Sequence, residues 1–457
     1  MEEVRNEQNP LGTEPESVLL RKFAIPSIIA MLVGSLYNIV DQFFIGRAVG
    51  PLGNAATNIA FPLTTLCIAI ALMFGIGGAS VFNITMGEGQ PEKAKHYIGN
   101  AVTMMISVGI VMMVITLIFM DRLMILFGSP AEVLPYVRTY AGITAFGFPA
   151  LILSAGGAHI IRADGSPNMT MMVNIIGAVV NTVLDALFVF VLNMGMAGAA
   201  YATIIGQYVS AGIIIWYLPH FKTVPLTKDT FIPKWEYTGR IVILGTAPFI
   251  NQIAFLAVQV TMNNSLRYYG ALSVYGESTP IAVSGIVMKV FQVAGAFVIG
   301  ISQGLQPIAS FNFGAKHYSR VKNAFFDAIK SGAVICFIAF ALFQLFPVQI
   351  LSFFGSGDEL YYEFGVKYMR IFVFFICLFF MQPIASNFFT SIGKPYKGIF
   401  MSLTRQVIFF LPLLVILPVF FGIDGVVYTG PIADLISCIV CAVMVYAELK
   451  KPEWHLS

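Results

Sequence analysis

The stretch "MMVNIIGAVVNTVLDALFVFVLNMG", residues 171–195, decides how the whole chain is read. A membrane-spanning helix needs about 20 mostly apolar residues, and this run supplies them. Yet Asn181 and Asp185 interrupt the run four residues apart, which puts them on one helical face. An amide and a carboxylate one turn apart in a bilayer are costly, and such groups mark functional positions by default.

The rest of the chain has the same character. Of its 457 residues 58% are hydrophobic and 11% charged, with mean hydropathy +0.82. Soluble domains carry about 25% charged residues. The composition therefore predicts an all-α polytopic membrane protein in a lipid bilayer. The net charge of +3 is modest and no basic stripe interleaves with aromatics, so nucleic-acid binding is set aside. Cys67, Cys336, Cys377, Cys438 and Cys441 all lie in apolar runs and read as small packed hydrophobes, not as metal ligands or disulfides. The mixed-charge start "MEEVRNEQNPLGTEPESVLLRK" predicts no cleaved signal peptide.

Twelve spans are expected, at about 19–44, 55–82, 98–120, 136–161, 169–193, 196–218, 240–263, 281–305, 325–346, 364–390, 398–420 and 425–447. Segments on the N-terminal side of the membrane hold 17 Lys and Arg against six on the other, which predicts both termini in the cytoplasm. The polar run "PHFKTVPLTKDTFIPKWEYTG" (219–239) reads as a cytoplasmic linker between lobes 1–218 and 240–457.

The halves match at an offset of 227 or 228. "LFGSP" (126–130) falls on "FFGSG" (353–357), and "DGSPNMT" (164–170) on "IGKPYKG" (392–398). "GMAGAAY" (195–201) falls on "GIDGVVY" (422–428), and "MGEGQPEKAK" (86–95) on "FGAKHYSRVK" (313–322). Six spans per repeat is an even number, so both repeats enter the membrane in the same sense. Their pseudo-symmetry axis then runs along the membrane normal, with a cavity between two lobes, which is transporter architecture.

Carboxylates well inside the spans are Asp41, Asp185 and Asp434. At 1.5 Å per residue, Asp41, Asp185 and Thr203 lie roughly 10–12 Å below the outer surface, with Asn181 about one turn deeper. Spans five and six are joined by a short turn, so these oxygens share one depth band in one lobe. Two carboxylates, an amide oxygen and a hydroxyl suit an alkali cation, and crowded carboxylates suit a proton equally. Tyr37, one turn before Asp41, is placed to bond into the site. The competing view has these groups merely bridging helices. The repeat argues against it, because the second lobe has Ile408, Pro412 and Gly430 at the positions of Asn181, Asp185 and Thr203, and Asn263 near that of Asp41. Arg405 and Asp434 are expected to pair between adjacent spans. His159 reads as a helix-bridging group.

The residues quoted above, with "AIPSIIAMLVGSLYNIVDQFFIG" (24–46), "NTVLDALF" (181–188) and "AGAAYATIIGQ" (197–207), resemble the multidrug and toxic compound extrusion (MATE) family along essentially the whole chain. "RADGSP" (162–167) and "SLTRQVIFFLP" (402–412) resemble its bacterial MepA-type branch. The resemblance implies twelve helices in two six-helix lobes, and a monomeric exporter in the bacterial inner membrane. It implies exchange of Na⁺ or H⁺ for drug-like, often cationic organic molecules, with no cofactor and no enzymatic step. It implies a cation site at Asp41, Asn181, Asp185 and Thr203, and a span one that bends near Pro26. The family's NorM-type branch carries acids in spans seven and ten, which have none here. Candidates for the cargo wall are Tyr140, Met172, Asn174, Gln259, Met288, Lys289 and Arg405. A lipid-linked saccharide flippase is the alternative, although it calls for more cavity-facing Lys and Arg. An intramembrane aspartyl protease fits poorly, because neither Asp41 nor Asp185 sits in a Gly-x-Gly-Asp motif.

Overall fold

Most of the expected helices run longer than an oily core requires. The computed structural model describes residues 9–127, 129, 132–276, 278–354 and 359–455, and among them there is no strand. Parts of the repeat match at 126–130 and 353–357 lie outside the described residues. The first lobe contains span one Glu16–Ala48, span two Pro51–Gly87, span three Pro91–Ile118, span five Pro167–Asp185 and span six Gly195–Tyr217. The second contains span seven Trp235–Ala271, span eight Ser278–Gly314, span nine Tyr318–Leu345 and span twelve Ile423–Leu449.

Spans four, ten and eleven are less regular than a hydropathy window suggests. Span four is two helices, Leu134–Ala145 and Phe148–Ala163, bent by 57°. Pro149 lies in the first turn of the second piece, where its missing N–H cannot continue the first. Span ten is Glu359–Phe372 and Met381–Ser391, joined by the tight turns Phe374–Leu378. Span eleven is interrupted by a π-helical stretch, Thr404–Phe410, and span five ends in another, Ala186–Val191. With the bent pair counted once, the described residues hold 12 candidate spans.

The repeat is visible in its turns. Gly89, Gly165 and Gly393 adopt φ of 76°, 75° and 70°, each two residues before a proline that opens the next helix. Left-handed backbone costs glycine little. The fourth equivalent position is Lys316, which takes φ 61° without that freedom.

The lobes exchange helices at the end that carries the 219–239 linker and the turns Pro10–Thr13 and Pro452–His455. Leu19, Leu20, Phe23 and Ala24 of span one belong to a second-lobe core with Ile301, Leu305 and Phe388. Reciprocally, Ile241 and Leu244 of span seven belong to the first-lobe core. The contacts between them are made by backbone. A Cβ at Gly245 would lie 1.8 Å from the Met73 carbonyl oxygen, and one at Gly77 2.2 Å from that of Ile241. Span eight closes on spans one and two in the same way. A Cβ at Gly300 would lie 2.7 Å from Ile28 Cα, and one at Gly314 2.0 Å from the Ile84 carbonyl oxygen. Close approach of small residues is how helices associate where lipid supplies no hydrophobic drive.

Polar groups reinforce this closed end. Gln306 Nε2 donates to Ser80 Oγ at 3.0 Å and to the Ile76 carbonyl at 3.2 Å, which ties span eight to span two. The side chain of His159 approaches Gln306, and its Nδ1 lies 3.1 Å from Arg162 Nη1. Asn312 Nδ2 donates to the Leu11 carbonyl at 2.8 Å, and Arg320 Nη2 to that of Glu14 at 2.5 Å, so the N-terminal turn docks beneath the second lobe. The linker is pinned as well. Asp164 accepts from the Lys222 and Thr223 amides, the Thr223 hydroxyl and the Tyr217 hydroxyl at 2.6–2.9 Å. Asn100 bonds to Thr230, Ile232 and Lys234 backbone.

Two outcomes follow from this packing. Gly245→Ala will hold the closed end apart, because the obstructing atoms are backbone. A cysteine at the buried Ser80 will then react with a water-soluble maleimide about tenfold faster than in the unaltered seam; equal labelling would show that the glycine contact does not hold the end shut. Lys316→Gly will raise stability by about 0.5–1 kcal/mol by relieving left-handed strain. Thermal unfolding in detergent checks it, and an unchanged or lower midpoint would contradict the strain.

Candidate functional site

Spans five and six approach closely because small residues face each other. A Cβ at Gly206 would lie 2.9 Å from the Gly177 carbonyl oxygen, and one at Gly177 would lie 2.1 Å from Ser210 Oγ. This proximity lets Asn181 Nδ2 reach Thr203 Oγ1 at 3.4 Å, while that hydroxyl donates to the Ala199 carbonyl at 3.0 Å. One turn further on, Asp185 is completely buried at the last α-helical residue before the π-helical stretch. Such stretches are rare and concentrate at functional positions.

Span one brings the second carboxylate. Ala24 and Ile28 touch span eight, and helical spacing carries that face outward through Met31, Ser35, Asn38 and Gln42. Tyr37 and Asp41 lie roughly a third of a turn or more from it. They point into the first lobe, where Asp41 meets Asp185. The hydroxyls of Tyr37 and Tyr140 both approach that of Thr203. Depth matching grouped Asp41, Asn181, Asp185 and Thr203, helical spacing added Tyr37, and the structure brings these five side chains together.

Four oxygens of this cluster are buried without a hydrogen-bond donor: Asp41 Oδ1, Asn181 Oδ1, and both Asp185 oxygens. Orphaned buried acceptors are rare in folded proteins and call for an explanation. A donor or a positive charge would satisfy them. The set is two carboxylates plus amide and hydroxyl oxygens, and among the described residues no three His, Cys, Asp or Glu side chains gather around a point. That composition fits a proton or an alkali cation and is unlike the nitrogen and sulfur sites of transition metals.

The proposed cargo-wall residues separate on inspection. Tyr140 belongs to the carboxylate cluster, since its hydroxyl approaches Thr203 beside Asp41 and Asp185. Met288 packs against the second-lobe core instead of a cavity. Asn174 Nδ2 is returned to its own helix at the Thr170 carbonyl, 2.9 Å away. Arg405 Nε donates to Asp434 Oδ1 at 2.5 Å, and its guanidinium carbon lies 5.7 Å and 6.0 Å from the Phe379 and Phe410 ring centres. It is a lobe-internal ion pair, as the sequence suggested. Met172 is exposed on span five, and Gln259 and Lys289 are exposed on spans seven and eight. Pro26 is buried, and span one runs through it as one continuous helix. The five cysteines are free.

Sequence reading gave no hint of the Ser80–Gln306 contact or of the docked Leu11 carbonyl, since each depends on which helices become neighbours.

Comparison with known proteins agrees with this architecture. The MatE family model matches residues 26–187 and 271–416. "Multidrug export protein MepA" of Staphylococcus aureus (strain NCTC 8325 / PS 47) is 22% identical over 425 residues, 93% of this chain and 92% of that protein. The solved structure "Outward-facing conformation of a multidrug resistance MATE family transporter of the MOP superfamily" superposes with TM-score 0.89 at 23% identity, covering 97% of this chain and 98% of that one. A solved structure of the "MATE multidrug transporter DinF-BH" superposes with TM-score 0.88 at 32% identity, covering 96% and 97%. With its family match, its helices and its two lobes, the chain belongs to the MatE family of multidrug efflux transporters and is not an enzyme.

Proposed function

We propose that this protein is a cation-coupled antiporter that exports lipophilic, often cationic organic molecules by alternating access. The observation that carries the reading is the cluster of unsatisfied buried oxygens on Asp41, Asn181 and Asp185. The names of the multidrug exporters it resembles supply the cargo class. The Lys/Arg bias supports termini on the cytoplasmic side of a bacterial inner membrane, so the glycine-sealed end is the cytoplasmic one. The protein acts as a monomer with lobes 1–218 and 240–457, in keeping with its self-contained pair of repeats.

Span one is the coupling element. One side of it carries Tyr37 and Asp41 into the ion cluster. Its adjoining side, through Asn38 and Gln42, borders the space between the lobes. Its lower half seals against span eight at Ala24 and Ile28. A proton or Na⁺ entering from outside offsets one negative charge of the Asp41–Asp185 pair, relieves their repulsion and draws span one toward spans five and six. Pro26, which removes one backbone hydrogen bond, absorbs the bend. The movement narrows the space available to cargo and releases it outward. The ion biases the two states only by its difference in affinity for them.

Asp185→Asn keeps the shape of the site and removes one charge. It will leave expression and folding intact while ion-dependent efflux falls at least about tenfold, a loss typical of one charge-assisted contact. Efflux equal to the unaltered protein at matched expression would remove Asp185 from the mechanism.

A further inference from the structure

The second lobe has its own polar feature, and it carries the opposite charge. On span eight, Gly300 and Gly304 touch span one, and Gln303 Nε2 lies 3.8 Å from Met31 Sδ. Continuing that face outward at helical spacing brings Val293, Lys289, Gly285 and Ala282 to the same side. All four are exposed, and a Cβ at Gly285 would meet nothing within 4 Å. The surface that seals one end of the molecule therefore forms an open wall toward the other. On span seven, the side of Gly245 that meets Met73 continues through Gln252, Gln259 and Asn263.

Lys289 stands 11 residues from the start of span eight at Ser278, roughly 16 Å along the helix. Counting the same distance back from the end of antiparallel span seven at Ala271 reaches Val260, beside Gln259. An ammonium and an amide thus share one level on one wall, deep in the membrane. Among the described residues, no carboxylate lies within 4.0 Å of Lys289. Arg405, the other basic residue deep in this lobe, is paired with Asp434. A lysine at this depth is tolerated where it meets water or an anionic partner. The matching wall of span one offers Asn38 and Gln42, which are neutral.

We propose that Lys289, with Gln259 at its level on span seven, is a subsite for the anionic group of amphipathic cargo: a carboxylate, or a sulfonate of similar size, on a lipophilic body. This rests on the reading that the space between the lobes holds cargo. It assigns the acid end of zwitterionic cargo to Lys289. The acids of the first lobe, Asp41 and Asp185, meet each other within that lobe, which leaves them to the ion.

Two dyes that differ at one group test the assignment. Rhodamine 19 bears a free carboxylate, and rhodamine 6G is its ethyl ester. Their binding to the purified full-length protein is read by fluorescence polarisation for the unaltered protein, Lys289→Gln and Lys289→Arg. The acid will bind Lys289→Gln about tenfold more weakly, the ester will bind within about twofold of normal, and Lys289→Arg will retain the acid. Ester binding also reports that the variant is folded. Equal effects of Lys289→Gln on both dyes, whether large or absent, would overturn the subsite. If the unaltered protein binds neither dye, it is the cargo-space reading that falls.

Discussion

The contact on which the rest of this molecule depends is the backbone seam between the lobes, where glycines bring helices together without side chains between them. Gly245 against Met73 and Gly314 against Ile84 are among the closest points. Because these contacts lie at one end only, the same helix faces are sealed below and exposed above. Two six-helix bundles meeting along their whole length would have no space for cargo. The seam is also reciprocal, since span one contributes to the second-lobe core and span seven to the first-lobe core. Movement of either helix therefore changes both lobes, which is the mechanical requirement for alternating access.

The carboxylate cluster exploits that arrangement. Asp41 sits on a helix whose adjoining side borders the inter-lobe space and whose lower half forms part of the seam. Charge at Asp41 and Asp185 is thus linked to the seam through a single element, with no relay across the molecule. The second lobe has Ile408, Pro412 and Gly430 at the corresponding positions, and its buried charges Arg405 and Asp434 are spent on each other. Under the proposed function, this asymmetry assigns ion binding to the first lobe and the cargo wall with Lys289 to the second.

Much of this was legible in the sequence. Spans, repeat and depth band all follow from hydrophobic run length and fixed helical rise, which are local quantities. Asp41, Asn181, Asp185 and Thr203 were grouped by depth alone, and the Arg405–Asp434 pair by the cost of burying each charge. The remainder was not local. The 57° bend in span four arises at Gly147–Pro149, where a hydropathy window registers only apolar residues. Met288 and Lys289 are neighbours in sequence, yet one packs into the core and the other lines the wall. Only the azimuth fixed by Gly300 and Gly304 separates them. The seam itself was illegible, because a glycine in a span gives no indication of which helix will press against it.

The central claim is that transport of an organic molecule is driven by an ion bound in the first lobe. Its most direct test is uptake of a fluorescent lipophilic cation into inverted proteoliposomes, with a Na⁺ gradient and a pH gradient imposed in turn. The account predicts that at least one gradient drives the dye above its equilibrium distribution, and that dissipating that gradient abolishes the accumulation. Dye that only equilibrates, at a rate indifferent to both gradients, would contradict it.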